Sequence, residues 1–154
     1  MNYRCNCDEQ QLIGLAATIA QSASVGSVIY LQGDLGAGKT TFCRAFIEAL
    51  GFDGVIQSPT YTWMQVYEFA GKRVLHLDMY LSQQKHIDVH GLLADYSQQD
   101  AIILVEWAEL VDDLPPSDLR VNISGDGSSR AIDIDSSTEL GDNILLKRQD
   151  ADAV

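Results

Sequence analysis

Gly33-Asp34-Leu35-Gly36-Ala37-Gly38-Lys39-Thr40 fits the spacing G-x-x-x-x-G-K-[ST]. The apolar run Val28-Ile29-Tyr30-Leu31 precedes it, and a helical pattern from Thr41 to Leu50 follows. A strand, a glycine-rich loop and a helix in that order are the setting in which this motif cradles phosphates. Glycines at 33, 36 and 38 let the backbone turn its N–H groups inward as a nest for anionic oxygens. The helix beyond aims the positive end of its dipole at the same place. Lys39 supplies a flexible cation to the terminal phosphates, and the Thr40 hydroxyl can join a magnesium shell. The stretch reads as a nucleoside-triphosphate site.

Upstream, Asp8 and Gln11 form a capping box, and Leu12, Leu15, Ala16 and Ile19 share one helix face. Downstream, Phe42, Ala45, Phe46, Ala49 and Leu50 make the apolar stripe of the next helix, which Gly51 stops. Two alternating runs, 61–69 and 73–80, flank a Gly71-Lys72 turn and read as an antiparallel hairpin. In the second run Leu75, Leu77 and Met79 share one face and His76, Asp78 and Tyr80 the other, so the polar face meets solvent or lines a site. A weak helical pattern spans 85–97, and Ala101-Ile102-Ile103-Leu104-Val105 is a second buried strand. Alternating strands follow at 119–123 and 131–134. Residues 143–148 suit a strand or a helix, and 150–154 are expected to be loose. Buried parallel-type strands beside helices, with antiparallel pairs added, imply one α/β domain over 1–149. Its architecture is a three-layer α/β/α P-loop NTPase sandwich with a mixed, largely parallel central sheet.

The 154 residues suffice for one core. No apolar run approaches the ~18 residues of a membrane span, and the N-terminal stretch lacks a signal-peptide core, so the expected location is cytoplasmic. Cys5, Cys7 and Cys43 are too few for a disulfide framework, and Cys5-x-Cys7 has no second Cys/His pair at ligand spacing. The net charge is −12, with ten acids against six bases up to Val105 and twelve against four from Glu106. Such a surface repels nucleic acid, so any contact with RNA is expected to be indirect.

Hydrolysis needs a metal anchor on a neighbouring strand, and Ile102-Ile103-Leu104-Val105-Glu106 supplies a carboxylate at a strand end. Asp78 can orient a water or hold a metal-bound one. Ser58-Pro59-Thr60 stands where nucleotide switches place a hydroxyl that senses the γ-phosphate, though a plain turn fits equally. Trp107 suits a core position, a stacking wall or an interface. A P-loop kinase would bring an arginine-bearing lid, and 81–100 contains no arginine. A GTPase is disfavoured because Asp88-Val89-His90-Gly91 has no strand before it and no N-K-x-D appears. A non-hydrolysing adaptor remains the third alternative.

GDLGAGKTT (33–41), SPTYT (58–62), His76-x-Asp78-x-Tyr80 and LVEWAE (104–109) occur in that order. The set resembles the TsaE family, the bacterial ATPases of threonylcarbamoyladenosine modification of tRNA. The resemblance implies magnesium on Thr40 and Glu106, and ATP phosphates on Gly33 and on Gly36, Ala37, Gly38, Lys39, Thr40 and Thr41. It implies water or metal positioning by Asp78, a switch-like Thr60, and nucleotide contacts from Glu9 and Arg130. It also implies docking on a TsaD–TsaB heterodimer that modifies adenosine 37, with ATP hydrolysis driving turnover. The family's arginine after H-x-D-x-Y is Leu81 here. No arginine finger is evident in the sequence, so hydrolysis by the isolated chain is expected to be slow.

Overall fold

The computed structural model describes residues 1–59, 62–80, 88–97, 100–112, 114–126 and 128–152. Thr60, Tyr61, Leu81 and Lys85 therefore lie outside the described residues. The strands are β1 (Asn2–Cys7), β2 (Val28–Gln32), β3 (Met64–Phe69), β4 (Lys72–Asp78), β5 (Ile102–Glu106), β6 (Leu119–Asp126) and β7 (Ser129–Ser136). The helices are α1 (Glu9–Ser22), α2 (Lys39–Ala49), α3 (Val89–Ser97) and α4 (Glu139–Asp152), with a 3-10 turn at Ala108–Leu110. All seven strands join one sheet in the order β1-β7-β6-β2-β5-β4-β3. The inner four, β6, β2, β5 and β4, are mutually parallel, while β1, β7 and β3 pair antiparallel at the two edges. The expected mixed sheet is thus present, with its parallel part in the middle.

Strand periodicity explains the layers. Ile29 and Leu31 of β2, with Ile102 and Leu104 of β5, enter a core shared with α1, α2 and α4. The alternate residues Tyr30, Ile103 and Val105 enter a second core with Val89 and Leu93 of α3. Strands buried on both faces read as continuous apolar runs, which is why these two were legible. On β6 and β7 only one face is apolar: Leu119, Val121, Ile123, Ile132 and Ile134 join the first core. Asn2 and Arg4 of β1 instead bond Asp133 of β7 on a polar face, at 2.6 and 2.9 Å.

Helix α1 begins at the expected capping box, with Gln11 N donating to Asp8 Oδ1 at 2.8 Å and Asp8 N to Gln11 Oε1 at 2.9 Å. Such a cap contributes about 1 kcal/mol. The stretch at 143–148 is helical, and α4 continues through 150 to Asp152, into the segment expected to be loose. Asp88 and Gly91 open α3, Gly91 N donating to Asp88 Oδ1 at 3.1 Å, so D-x-x-G is a helix start here. The strand β1 has no counterpart in the sequence reading.

Candidate nucleotide site

The loop after β2 sits at the carboxyl end of the sheet, between β6 and β5, where open α/β sheets place their ligands. Gly33 has φ +145°, and a Cβ there would stand 2.2 Å from the carbonyl oxygen of Ile123 on β6. Gly38 has φ +119°, and its Cβ would meet Leu12 at 2.9 Å and Arg130 Nε at 3.4 Å. Both positions combine close approach with a left-handed backbone, so glycine is required for shape. Ala37 N donates to Asp34 O at 3.1 Å, closing the turn that leads into α2.

Parallel register sets the acids in a row. Leu31 of β2 pairs with Glu106 of β5, and Glu106 with Asp78 of β4. Three strands thus end side by side next to the glycine loop. Thr40, on the first turn of α2, donates its hydroxyl to Glu106 Oε1 at 2.9 Å. The other oxygen, Oε2, lies 2.5 Å from His76 Nε2. Glu106 is 1% exposed, His76 0% and Asp78 3%, so the polar face of β4 is buried rather than solvated, and Asp78 lines the cavity. Asp78 Oδ1 accepts from Tyr80 N at 2.9 Å, fixing the carboxylate at the strand end.

Lys39 is folded back on its own loop. Its Nζ donates to Gly33 O at 2.6 Å and Asp34 O at 2.9 Å, and lies 4.0 Å from the centroid of the Trp107 ring. Burial lowers its pKa; Glu106 opposes that shift first, then Glu109, Asp78 and Asp34. Trp107 reaches this position through a left-handed backbone, φ 58° and ψ 36°, and its ring stands 5.0 Å from that of Tyr80. It is a stacking wall for the lysine. The sequence showed the tryptophan but not the backbone reversal that aims it.

The cavity enclosed by these groups is about 240 Å³. That is below the ~300 Å³ of small drug-sized sites and suits a polyphosphate tail with its base outside. Gly36, Gly38, Lys39, Thr40 and Thr41 line it, facing Asp78, Glu106 and Arg130. Arg130 comes from β7, opposite Cys7 of β1. Its Nε and Nη1 are buried without a hydrogen-bond partner among the described residues. Buried guanidinium donors left open are costly, and their position at a glycine loop fits an anion. Ala37 is buried beneath the loop in the first core, and Gly33 serves the turn. Among the described residues Glu9 does not line the cavity; it is exposed on the first turn of α1. Leu35 of the loop lines it too, as does Tyr80, whose face was expected to meet solvent or line a site.

Residues 7–132 match the family model for the threonylcarbamoyl adenosine biosynthesis protein TsaE. The chain belongs to the TsaE family. Among TsaE relatives, the tRNA threonylcarbamoyladenosine biosynthesis protein TsaE of Haemophilus influenzae is 41% identical over 120 residues, covering 77% of this chain and 75% of that protein. The TsaE protein of Bacillus subtilis is 37% identical over 114 residues, covering 73% and 71%. A crystal structure of Bacillus subtilis YdiB superposes with a TM-score of 0.83 at 26% identity, covering 99% of this chain and 97% of that one. The TsaE match stops four residues short of the end of β7, so α4 lies outside it. No helix among the described residues is long and apolar enough to cross a membrane.

Proposed function

We propose that this chain is a magnesium-dependent ATPase that supports threonylcarbamoyl modification of tRNA adenosine 37 by docking on a TsaD–TsaB heterodimer and driving its turnover. The observation that carries the reading is the meeting of the Thr40 hydroxyl with Glu106 Oε1 at 2.9 Å, beside the glycine loop and Lys39. A hydroxyl and a carboxylate at that separation are the oxygen donors a magnesium ion takes in a P-loop site. Thr40 and Glu106 would hold the ion, which would supply charge neutralisation for the phosphate tail.

The chain's own groups do the rest. Lys39 leaves the carbonyls of Gly33 and Asp34 for the terminal phosphates, exchanging neutral acceptors for charged ones. Arg130 directs its two open donors at the same tail, a cation supplied from within the chain. Asp78, held by Tyr80 N, accepts a hydrogen bond from the attacking water and orients it. Trp107 and Tyr80 wall the pocket against bulk water. Thr60 is the remaining candidate and would sense the γ-phosphate.

With a net charge of −12, the protein contributes nothing attractive to an RNA backbone at long range, so tRNA is reached through the partner complex. ATP hydrolysis measured with and without TsaD–TsaB tests the reading. Slow turnover alone and faster turnover with the pair are expected. Equal rates would refute docking-controlled catalysis, and strong salt-sensitive tRNA binding by the isolated chain would refute indirect contact.

A further inference from the structure

The two oxygens of Glu106 face different chemistry. Oε1 looks toward the Thr40 hydroxyl, an oxygen-donor environment. Oε2 lies 2.5 Å from His76 Nε2, and the thiol of Cys43, one turn along α2 from Thr40, stands near both side chains. A carboxylate oxygen of Glu106, a ring nitrogen of His76 and Cys43 Sγ all lie within 4.8 Å of one another. Each residue is at most 1% exposed. The second ring nitrogen of His76, Nδ1, is buried with no hydrogen-bond partner among the described residues. An unpartnered imidazole nitrogen in a dry site has a free energy cost that a ligand would relieve.

We propose that Cys43, His76 and Glu106 form a second cation site of the zinc type beneath the nucleotide pocket, and that an ion held there withdraws Glu106 from magnesium. One thiolate, one imidazole and one carboxylate are donors of the three kinds that zinc takes. Magnesium demands six oxygens, whereas nitrogen and sulfur donors favour zinc strongly over it. Charge agrees with burial: a divalent ion with a thiolate and a carboxylate is neutral, so the complex avoids the penalty of an unpaired buried charge. Coordination releases the thiol proton to solvent. His76 would coordinate through one ring nitrogen, and nothing is oxidised or reduced. Glu106 also lines the nucleotide cavity, so the cluster abuts that cavity through this one side chain. Burial, and then Glu106 and Asp78, push the Cys43 thiol well above its ordinary range, so it stays protonated until a metal takes the sulfur.

Binding rests on the cluster alone, while inhibition rests on the reading of Glu106 as a magnesium ligand. The probe is cobalt(II), whose sulfur-to-metal charge-transfer absorption reports a thiolate ligand directly. The full chain is expected to bind one cobalt ion with that absorption, and one equivalent of zinc should remove it. Cys43→Ser is expected to lose the absorption and to weaken zinc about tenfold or more, while keeping magnesium-dependent hydrolysis. A Cys5→Ser/Cys7→Ser double variant should keep the absorption. In the wild-type chain zinc should suppress ATP turnover, and prior saturation with magnesium and ATP should protect it. A wild-type spectrum without the charge-transfer absorption, or one that survives in Cys43→Ser, overturns the site. Zinc bound with the full signature and no loss of turnover overturns the inhibition. The cobalt spectrum decides the site even if the chain hydrolyses no ATP.

Discussion

Glu106→Gln keeps the shape of the side chain and removes its charge. The carboxylate accepts from Thr40 at 2.9 Å and faces His76 Nε2 at 2.5 Å. Converting two charge-assisted hydrogen bonds into neutral ones costs about 1 kcal/mol each, or ~2 kcal/mol in total. For a domain of this length that is a fall of roughly 6 °C in melting temperature. Lys39 also loses the first of the carboxylates that offset its burial. Turnover should suffer more. Removing a preorganised group that meets developing charge costs about 3–4 kcal/mol, a drop of roughly a hundred- to a thousandfold. ATP affinity should change only a few-fold, because the proposed phosphate contacts are those of the loop N–H groups, Lys39 and Arg130. Single-turnover hydrolysis at saturating ATP, equilibrium nucleotide binding and thermal melting separate the three effects. Turnover within tenfold of wild type would show that Glu106 anchors no ion. Affinity lost in step with turnover would show that it only shapes the loop.

Arg130→Met should move stability and function in opposite directions, because it removes two buried donors that lack partners. Melting temperature should hold or rise, while ATP binding weakens by about 1.5–3 kcal/mol, the range for hydrogen bonds to charged groups; a lower melting temperature with unchanged affinity would count against the phosphate role. Gly33→Ala and Gly36→Ala test the loop as a pair. At Gly36, φ +79° with nothing within 4 Å of the added Cβ, the cost is backbone strain of about 1–2 kcal/mol. At Gly33 the Cβ meets the Ile123 carbonyl at 2.2 Å, adding about 1–3 kcal/mol of overpacking. Equal denaturation midpoints for the two variants would contradict that collision. Burial pushes the Tyr30 phenol up to about 12, and its hydroxyl donates to Pro115 O. Between its ordinary 10.0 and about 12 only the unfolded chain ionises at this residue, so stability should fall with rising pH there. Tyr30→Phe should flatten that slope, and an unchanged slope would argue against it.

The parts of the site legible from sequence were those with fixed spacing. The glycine loop owes its shape to its own backbone, and Ile102 to Glu106 is buried on both faces, so each carries its signature locally. The alternation of β4 separated His76 and Asp78 from Leu75 and Leu77, but not their burial against Glu106. That contact depends on the register between β4 and β5, set by residues more than twenty positions apart. β1 left no readable trace because only Tyr3, Cys5 and Cys7 alternate inward, and its partner β7 lies at the far end of the sequence. α4 was ambiguous because its apolar residues are few among acids and lysine. Arg130 could be named through a resemblance, but its open donors are visible only once β7 is laid beside β1.

Unequal cover across the sheet has a consequence for how the molecule breathes. β2 and β5 are sealed by cores on both sides, whereas β6, β7 and β1 are sealed on one. Amide protons of the inner pair should exchange only on global unfolding, and those of the outer arm through a cheaper partial opening. That arm carries Arg130, so each opening removes a cation from the cradle. A nucleotide that binds only the closed form holds the arm shut by mass action. Deuterium uptake should therefore slow along β7 and β1 when ATP is added, beyond Arg130 as well as at it.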